Sequence, residues 1–321
     1  MFYIFSILAL LAWSGSDLFS KMGTREKDKN SHWKVVFAVG LIMGIHFFIT
    51  LISGAIIDST VGVDALPKVV SSIFYTDFKI MDFVYYLPVA GLYILAMVFG
   101  YIGLRYIELS ISSPICNSSG ALAFLLCVIF GVFSTEDITT TTIIGIVMIT
   151  VGIIALGFVE QHEDEEVRQA RQERANRKYA KSILAFLLPI SYLIIDALGT
   201  VGDEFIFSDR SPVEISDYAA NSAFELTFFV LAVFAFIWIK FVKKDNIFKG
   251  NKHLYFGGLR ETIGQIFYMA VMFSDFSVGM VIISAYCAIS VLWSRIFLKE
   301  KMSWKHYAVI ALVIAGIVIL G

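Results

Sequence analysis

Long apolar runs broken by short polar junctions dominate the chain. A membrane-spanning helix needs about 20 mostly apolar residues. Ten runs meet that length, at 2–22, 33–57, 82–104, 109–131, 139–159, 181–200, 214–241, 252–274, 277–298 and 303–321. Three junctions are long: 58–81, the hydrophilic cluster from Glu160 to Lys181, and 201–213. The first carries Asp58, Asp64, Asp77 and Asp82, and the third carries Asp203, Glu204 and Asp209. Both are expected as surface loops or short amphipathic pieces, and the central cluster as a solvated helical linker. The predicted fold class is an all-α membrane protein with ten transmembrane helices.

Composition supports this solvent assignment. The chain is 58% hydrophobic and 16% charged, whereas a soluble domain carries about 25% charged residues. Its surface would not stay solvated in water. Cys116, Cys127 and Cys287 all lie inside apolar runs and form no CxxC, so they read as free buried thiols. The segment Phe2–Leu11 is apolar with no basic region before it, and is expected as a first span rather than a removable signal.

The distribution of basic residues predicts an orientation. Of the 25 Lys and Arg residues, 22 fall in junctions after odd-numbered runs or at their edges; Lys68, Lys79 and Arg210 fall on the other side. Both termini are therefore expected outside, with linker 161–180 in the cytoplasm, and a bacterial cytoplasmic membrane is the expected location.

The runs also repeat. EDITTTTIIGIVMITVGIIAL from Glu136 matches EKMSWKHYAVIALVIAGIVIL from Glu300 at an offset of 164, which places Glu136 on Glu300, Thr139 on Ser303 and Gly152 on Gly316. Trp13 to Asp17 matches Tyr192 to Asp196 more loosely, an aromatic followed four residues later by an acid. Five runs per copy is an odd number, so the second copy is expected to be inverted. The domain expectation is 1–160 for one five-span repeat, 161–180 for the linker and 181–321 for the second repeat.

The segments ALLAWSGSDLFSK, VFSTEDITTTTIIGIVMITVGIIAL and FLKEKMSWKHYAVIALVIAGIVIL carry a resemblance. With an acid before each repeat's last span and a glycine late in it, the chain resembles the drug/metabolite transporter superfamily of the EamA type. The resemblance implies two inverted five-helix halves around a central cavity, moving small metabolites by alternating access. It implies a fold and not a substrate. The long acidic junctions 58–81 and 201–213 depart from the minimal family pattern.

Ionisable groups inside spans are costly, about 2.5–3.5 kcal/mol for Asp at a helix centre, and face a cavity or a partner. Asp217, Asn221 and Glu225 are spaced to share one helix face, with Tyr218 adjoining. Glu225, nearly midway through its span, is the first choice for a substrate or proton site; the alternative is a buried acid bonded to a neighbouring helix. Glu261, Gln265 and Tyr268 share a second face, with an ion pair to Arg260 as the other reading of Glu261. Asp17 lies near the inner end of the first span, with Lys21 one turn on as a neutralising partner, and Asp196 near the outer end of the sixth. SISSPICNSSGA from Ser110 contains Pro114. It reads either as an interrupted helix lining a cavity, with Asn117 and the serines satisfying freed backbone groups, or as close packing through small residues. Trp13, Tyr192, Tyr268, Tyr286 and Trp293 are candidate cation–π walls, or packing.

The five histidines never pair at metal-ligand spacing, and no nucleotide-binding or hydrolase motif is present. An enzyme, ATP-driven transport, a metal, a cofactor and nucleic-acid binding are accordingly not expected. The expectation is a secondary transporter of a small polar metabolite. With acids at Asp196, Asp217, Glu225 and Glu261 and no evident buried basic partner, a cationic or zwitterionic amine or amino acid is favoured. Expected partners are that metabolite, the lipid bilayer, protons under coupling, and a second copy in a homodimer. The rival readings are a lipid or lipid-linked flippase and a non-transporting membrane sensor or assembly partner.

Overall fold

A computed structural model describes residues 2–24, 28–132, 139–174, 182–248, 252–272, 283 and 285–320. Among them every regular element is helical: α1 (Phe2–Gly23), α2 (Ser31–Thr60), the short α3 (Lys68–Phe74), α4 (Ile80–Gly103), α5 (Leu109–Cys116), α6 (Ser119–Ile129), α7 (Thr140–His162), α8 (Glu165–Arg174), α9 (Ile183–Ile206), α10 (Asp217–Ile237), α11 (His253–Met272), α12 (Tyr286–Trp293) and α13 (Trp304–Leu320). Wider turns over Trp238–Val242 and Ser294–Leu298 extend α10 and α12. Among the described residues seven stretches are long and apolar enough to cross a membrane, the α5–α6 pair counting as one; the α12 segment and α13 are shorter apolar helices. This is the composition of a multi-pass integral membrane protein.

Helix ends follow local chemistry. Thr139, Ser182 and Ser216 each cap a helix by accepting from an amide of its first turn. The predicted fourth run is broken at Asn117–Ser118. The Ser118 amide turns to Ile115, and Ser118 Oγ donates to the Pro114 carbonyl it leaves (2.7 Å), while Asn117 Nδ2 adds a second bond to the Ser113 carbonyl (3.1 Å).

Two boundaries differ from expectation. The sixth helix runs on to Ile206, so Asp203 and Glu204 are helical rather than looped, and Asp196 lies in mid-helix rather than near its end. The apolar run alone missed this because Asp203 is accommodated by a hydroxyl of Tyr86 on α4. In the junction 58–81, α2 extends to Thr60, past the expected end at 57, while the short helix α3, which packs on α2 and α11, is one of the two forms expected there. The predicted Glu136 lies outside the described residues.

The principal helix contacts are α1 with α11 and α12, α2 with α10 and α11, α4 with α9 and α10, α5 and α6 with α9, α5 with α12, and α7 with α13. Exchanging α1 with α9, α2 with α10, α4 with α11, α5–α6 with α12, and α7 with α13 maps this scheme onto itself. Hydrophobicity provides little drive between helices in lipid, so close approach of small residues matters. A Cβ at Gly152 would lie 2.4 Å from Val313, and one at Gly316 would lie 2.9 Å from Ile149. The 164-residue offset turns one contact into the other, since Ile149 matches Val313 as Gly152 matches Gly316.

The bundle has two chemically distinct ends. Lys34 binds Asp28 (2.7 Å) and Asp245 (3.0 Å) at the basic end. At the opposite end Tyr86 donates to Asp203 (2.6 Å), and Ser216 donates to Asp77.

Candidate functional site

A cavity of about 60 Å³ opens between α1, α4, α5, α9, α11 and α12, room for on the order of four waters. Asp17, Asn117, Tyr192, Glu261 and Tyr286 line it. These five come from four separate apolar runs and the helix break, and only tertiary folding brings them together.

Asp17 Oδ2 accepts from Ser113 Oγ (2.7 Å) on α5 and Ser290 Oγ (2.8 Å) on α12. The carboxylate is thus fixed by hydroxyls from two elements. Lys21, the expected partner of Asp17, donates to the carbonyls of Leu104 and, at 2.6 Å, Ile107. The reason is geometric: the turn that follows α4, from Leu104 to Ile107, lies beside α1 and offers the ammonium two main-chain carbonyls. Glu261 stands on the cavity wall while neighbouring Arg260 is exposed, and no Lys or Arg is among the fifteen lining residues.

Aromatic rings form and back the wall. Trp13 packs against Tyr268 (5.4 Å between centroids) and Tyr286 (5.8 Å). Its ring rests on Gly264, where a Cβ would come within 2.4 Å, and the Tyr192 ring rests on Gly100, where a Cβ would come within 2.9 Å. The two aromatics matched in sequence therefore occupy matching seats, each on a glycine of the other half.

The remaining candidates fall outside the cavity lining. Asp196 accepts from Ser119 (2.6 Å), at the far side of the α5–α6 break. Tyr218 Oη pairs with Ser71 (2.8 Å) on α3, and Asp217 opens α10. Glu225, the sequence's first choice, is fully buried in a different network. His46 Nδ1 lies 2.8 and 3.0 Å from its two oxygens, Asn221 Nδ2 lies 3.4 Å from Oε1, and Gln265 Nε2 donates to Asn221 Oδ1 (3.0 Å). The expectation of no buried basic partner is corrected here, because His46 on α2 faces Glu225.

Sequence reasoning missed Ser113 and Ser290 as donors to Asp17, and it missed His46. The one local sign for His46 was a polar stripe, with Thr50 and Ser53 one and two turns on. Outside the spans, burial pushes the Tyr75 phenol up to about 12, with Asp58 adding to the effect.

Glu300 completes the frame. It is buried and accepts from the amides of Ser110 (3.2 Å) and Leu109 (3.4 Å) and from Ser110 Oγ (3.0 Å), at the start of α5. The acid before the last span, a mark of the resemblance, is a helix cap for the cavity-lining α5.

Residues 183–321 match the EamA-like transporter family. No curated protein matches the chain. The family is one of membrane transporters of the drug/metabolite type, not of enzymes, and the resemblance read from the C-terminal segment holds over this half. Together with the apolar helices, the match supports a multi-pass integral membrane protein.

Proposed function

We propose that this EamA-like chain is a secondary transporter that carries a small cationic or zwitterionic metabolite through the Asp17–Glu261 cavity by alternating access. The observation that carries the reading is the lining itself: two carboxyl side chains and, among the described residues, no Lys or Arg. A fixed excess of acid attracts an ammonium and repels anions such as sugar phosphates. Tyr192 and Tyr286 add ring faces for a cation. Two lining hydroxyls, Ser20 Oγ and Tyr101 Oη, are buried and find no hydrogen-bond partner among the described residues. They suit oxygen or nitrogen atoms on the substrate.

The self-mapping contact scheme and the shared 164-residue register support two inverted halves, 1–160 and 181–321, joined by the 161–180 linker. The charge tally supports cytoplasmic placement of the basic end and external termini. Glu225, the first choice for a substrate or proton site, lies outside the cavity lining, which favours the proton half of that reading.

Thermal shift of the purified protein against methylammonium, putrescine, neutral amino acids, nucleosides, glucose and glucose 6-phosphate tests the reading. Amines or amino acids should stabilise the wild type and fail to stabilise Asp17→Asn. Stabilisation by the sugar phosphate instead would defeat the assignment.

A further inference from the structure

His46 and Glu225 face each other across the seam between α2 and α10, one residue from each half. Glu225 is fully buried and the His46 side chain is 10% exposed. His46 Nε2 lies 3.1 Å from the Ile73 carbonyl at the end of α3. A carbonyl only accepts, so Nε2 carries a hydrogen. Nδ1 and the Glu225 carboxylate then share one proton, either as imidazolium on carboxylate or as imidazole accepting from a carboxylic acid. Both forms leave the site neutral. A second proton leaves a net positive charge in a dry seam, and that is costly without a counter-ion.

The surrounding elements supply no such counter-ion within hydrogen-bonding reach of His46 among the described residues. On α10, Asp217 and Tyr218 stand at the helix mouth, Tyr218 paired with Ser71. On α11, Glu261 lines the cavity and Tyr268 packs on Trp13. On α4, Asp82 accepts from the Lys79 amide, Tyr86 donates to Asp203 and Tyr93 to Thr200. On α1, Asp17 is held by serines and Lys21 by carbonyls. The α3 segment contributes Lys68, and α2 itself contributes His32 and Lys34 at one end and Asp58 at the other.

The same pair also holds α3 in place. Ile73 belongs to α3, which is further tied by Ser71 to Tyr218 and, just beyond it, by Ser222 donating to Thr76 (2.7 Å). From Glu225 the chain Asn221–Gln265 reaches α11, where Glu261 lies one turn from Gln265 on the cavity wall.

We propose that His46–Glu225 is a proton-binding site that governs opening of the α3-covered end. Uptake of a second proton from solvent charges the pair, separates α2 from α10 and releases α3; returning that proton to solvent restores the shared-proton pair and closes the seam. The site rests on the transporter reading for its purpose, but its proton response is measured without any substrate.

The test is hydrogen–deuterium exchange of the full chain in lipid nanodiscs, corrected for the intrinsic pH dependence of exchange, at about pH 6 and about pH 3.5, because the pair already shares its proton below histidine titration and a second one binds only near the ordinary carboxylate range. Wild-type amides of α3 and of the facing turns of α2 and α10 should lose about tenfold protection at the lower pH, one pH unit of linkage. His46→Gln and Glu225→Gln should remove that pH dependence. A merely structural pair would change protection equally at both pH values and leave the difference intact, and that result overturns the proposal. So does a wild type with no pH response. Should the variants not fold, infrared pH-difference spectra of the wild type decide, because the proposal requires a buried carboxyl that takes up a proton over the same range. Asp17→Asn keeps the two readings apart: it should abolish amine stabilisation and leave the exchange response unchanged.

Discussion

Lys21 and Glu300 grip opposite faces of one turn. The Lys21 ammonium takes the carbonyls of Leu104 and Ile107, where α4 ends, and the Glu300 carboxylate takes the amides of Leu109 and Ser110, where α5 begins. Each charge sits at the helix end whose dipole it complements. The turn they hold carries Leu104, Leu109 and Ser113 to the cavity, so the substrate site is built on a doubly capped corner.

Removing one grip should loosen that corner. Glu300→Ala leaves buried amides unpaired, a loss of about 1–3 kcal/mol. The thermal midpoint should fall, and Glu300→Gln, which still accepts hydrogen bonds, should recover part of it. Equal midpoints for the alanine variant and the wild type would show that the cap carries no stability.

The two hydroxyls on Asp17 act as positioning groups. Ser113→Ala combined with Ser290→Ala should weaken amine stabilisation at least tenfold, about 1.4 kcal/mol, while the helical circular-dichroism signal stays at its wild-type level. Binding that survives the double change would mean the carboxylate needs no orientation.

Aromatic seating should be sterically strict. Gly264→Ala would place a methyl 2.4 Å from the Trp13 ring, an overpacking cost of about 1–3 kcal/mol. The Gly100→Ala clash with Tyr192 is milder at 2.9 Å. Comparing the two midpoints checks the order: Gly264→Ala should be the less stable.

The basic end should respond to acid through Asp245. Its hydrogen bond from Lys34 holds this carboxyl below the usual 3.8. A folded-state value below the unfolded one means that the contribution is complete above pH 3.8 and fades as the pH drops through the folded value. The midpoint of Asp245→Asn should therefore lie below wild type near neutrality and converge with it in acid below pH 3.8. Parallel curves would remove the pair from the stability of this end.

Much of the fold was legible because bilayer crossing leaves a long apolar signature. Helices appear at every predicted run described, and SISSPICNSSGA announced the break at Asn117 through its proline and serines. The reach of α9 to Ile206 was hidden, because Asp203 looks like a loop residue until Tyr86 on α4 is seen to donate to it. The cavity was half legible: Asp17, Asn117, Tyr192, Glu261 and Tyr286 all stood out as polar or aromatic groups in apolar runs.

By itself, the sequence determined the solvent, the helical class, the acids that need partners and the register linking Gly152 to Gly316, since each follows from hydropathy and local spacing. Only tertiary structure decided which acid faces the cavity and which faces a histidine. Glu225 and Glu261 look alike in sequence, each an acid within an apolar helix. The rotation and depth at which α10 meets α2, and α11 meets α1, put one against His46 and the other on the cavity wall, and no local pattern encodes those packing angles.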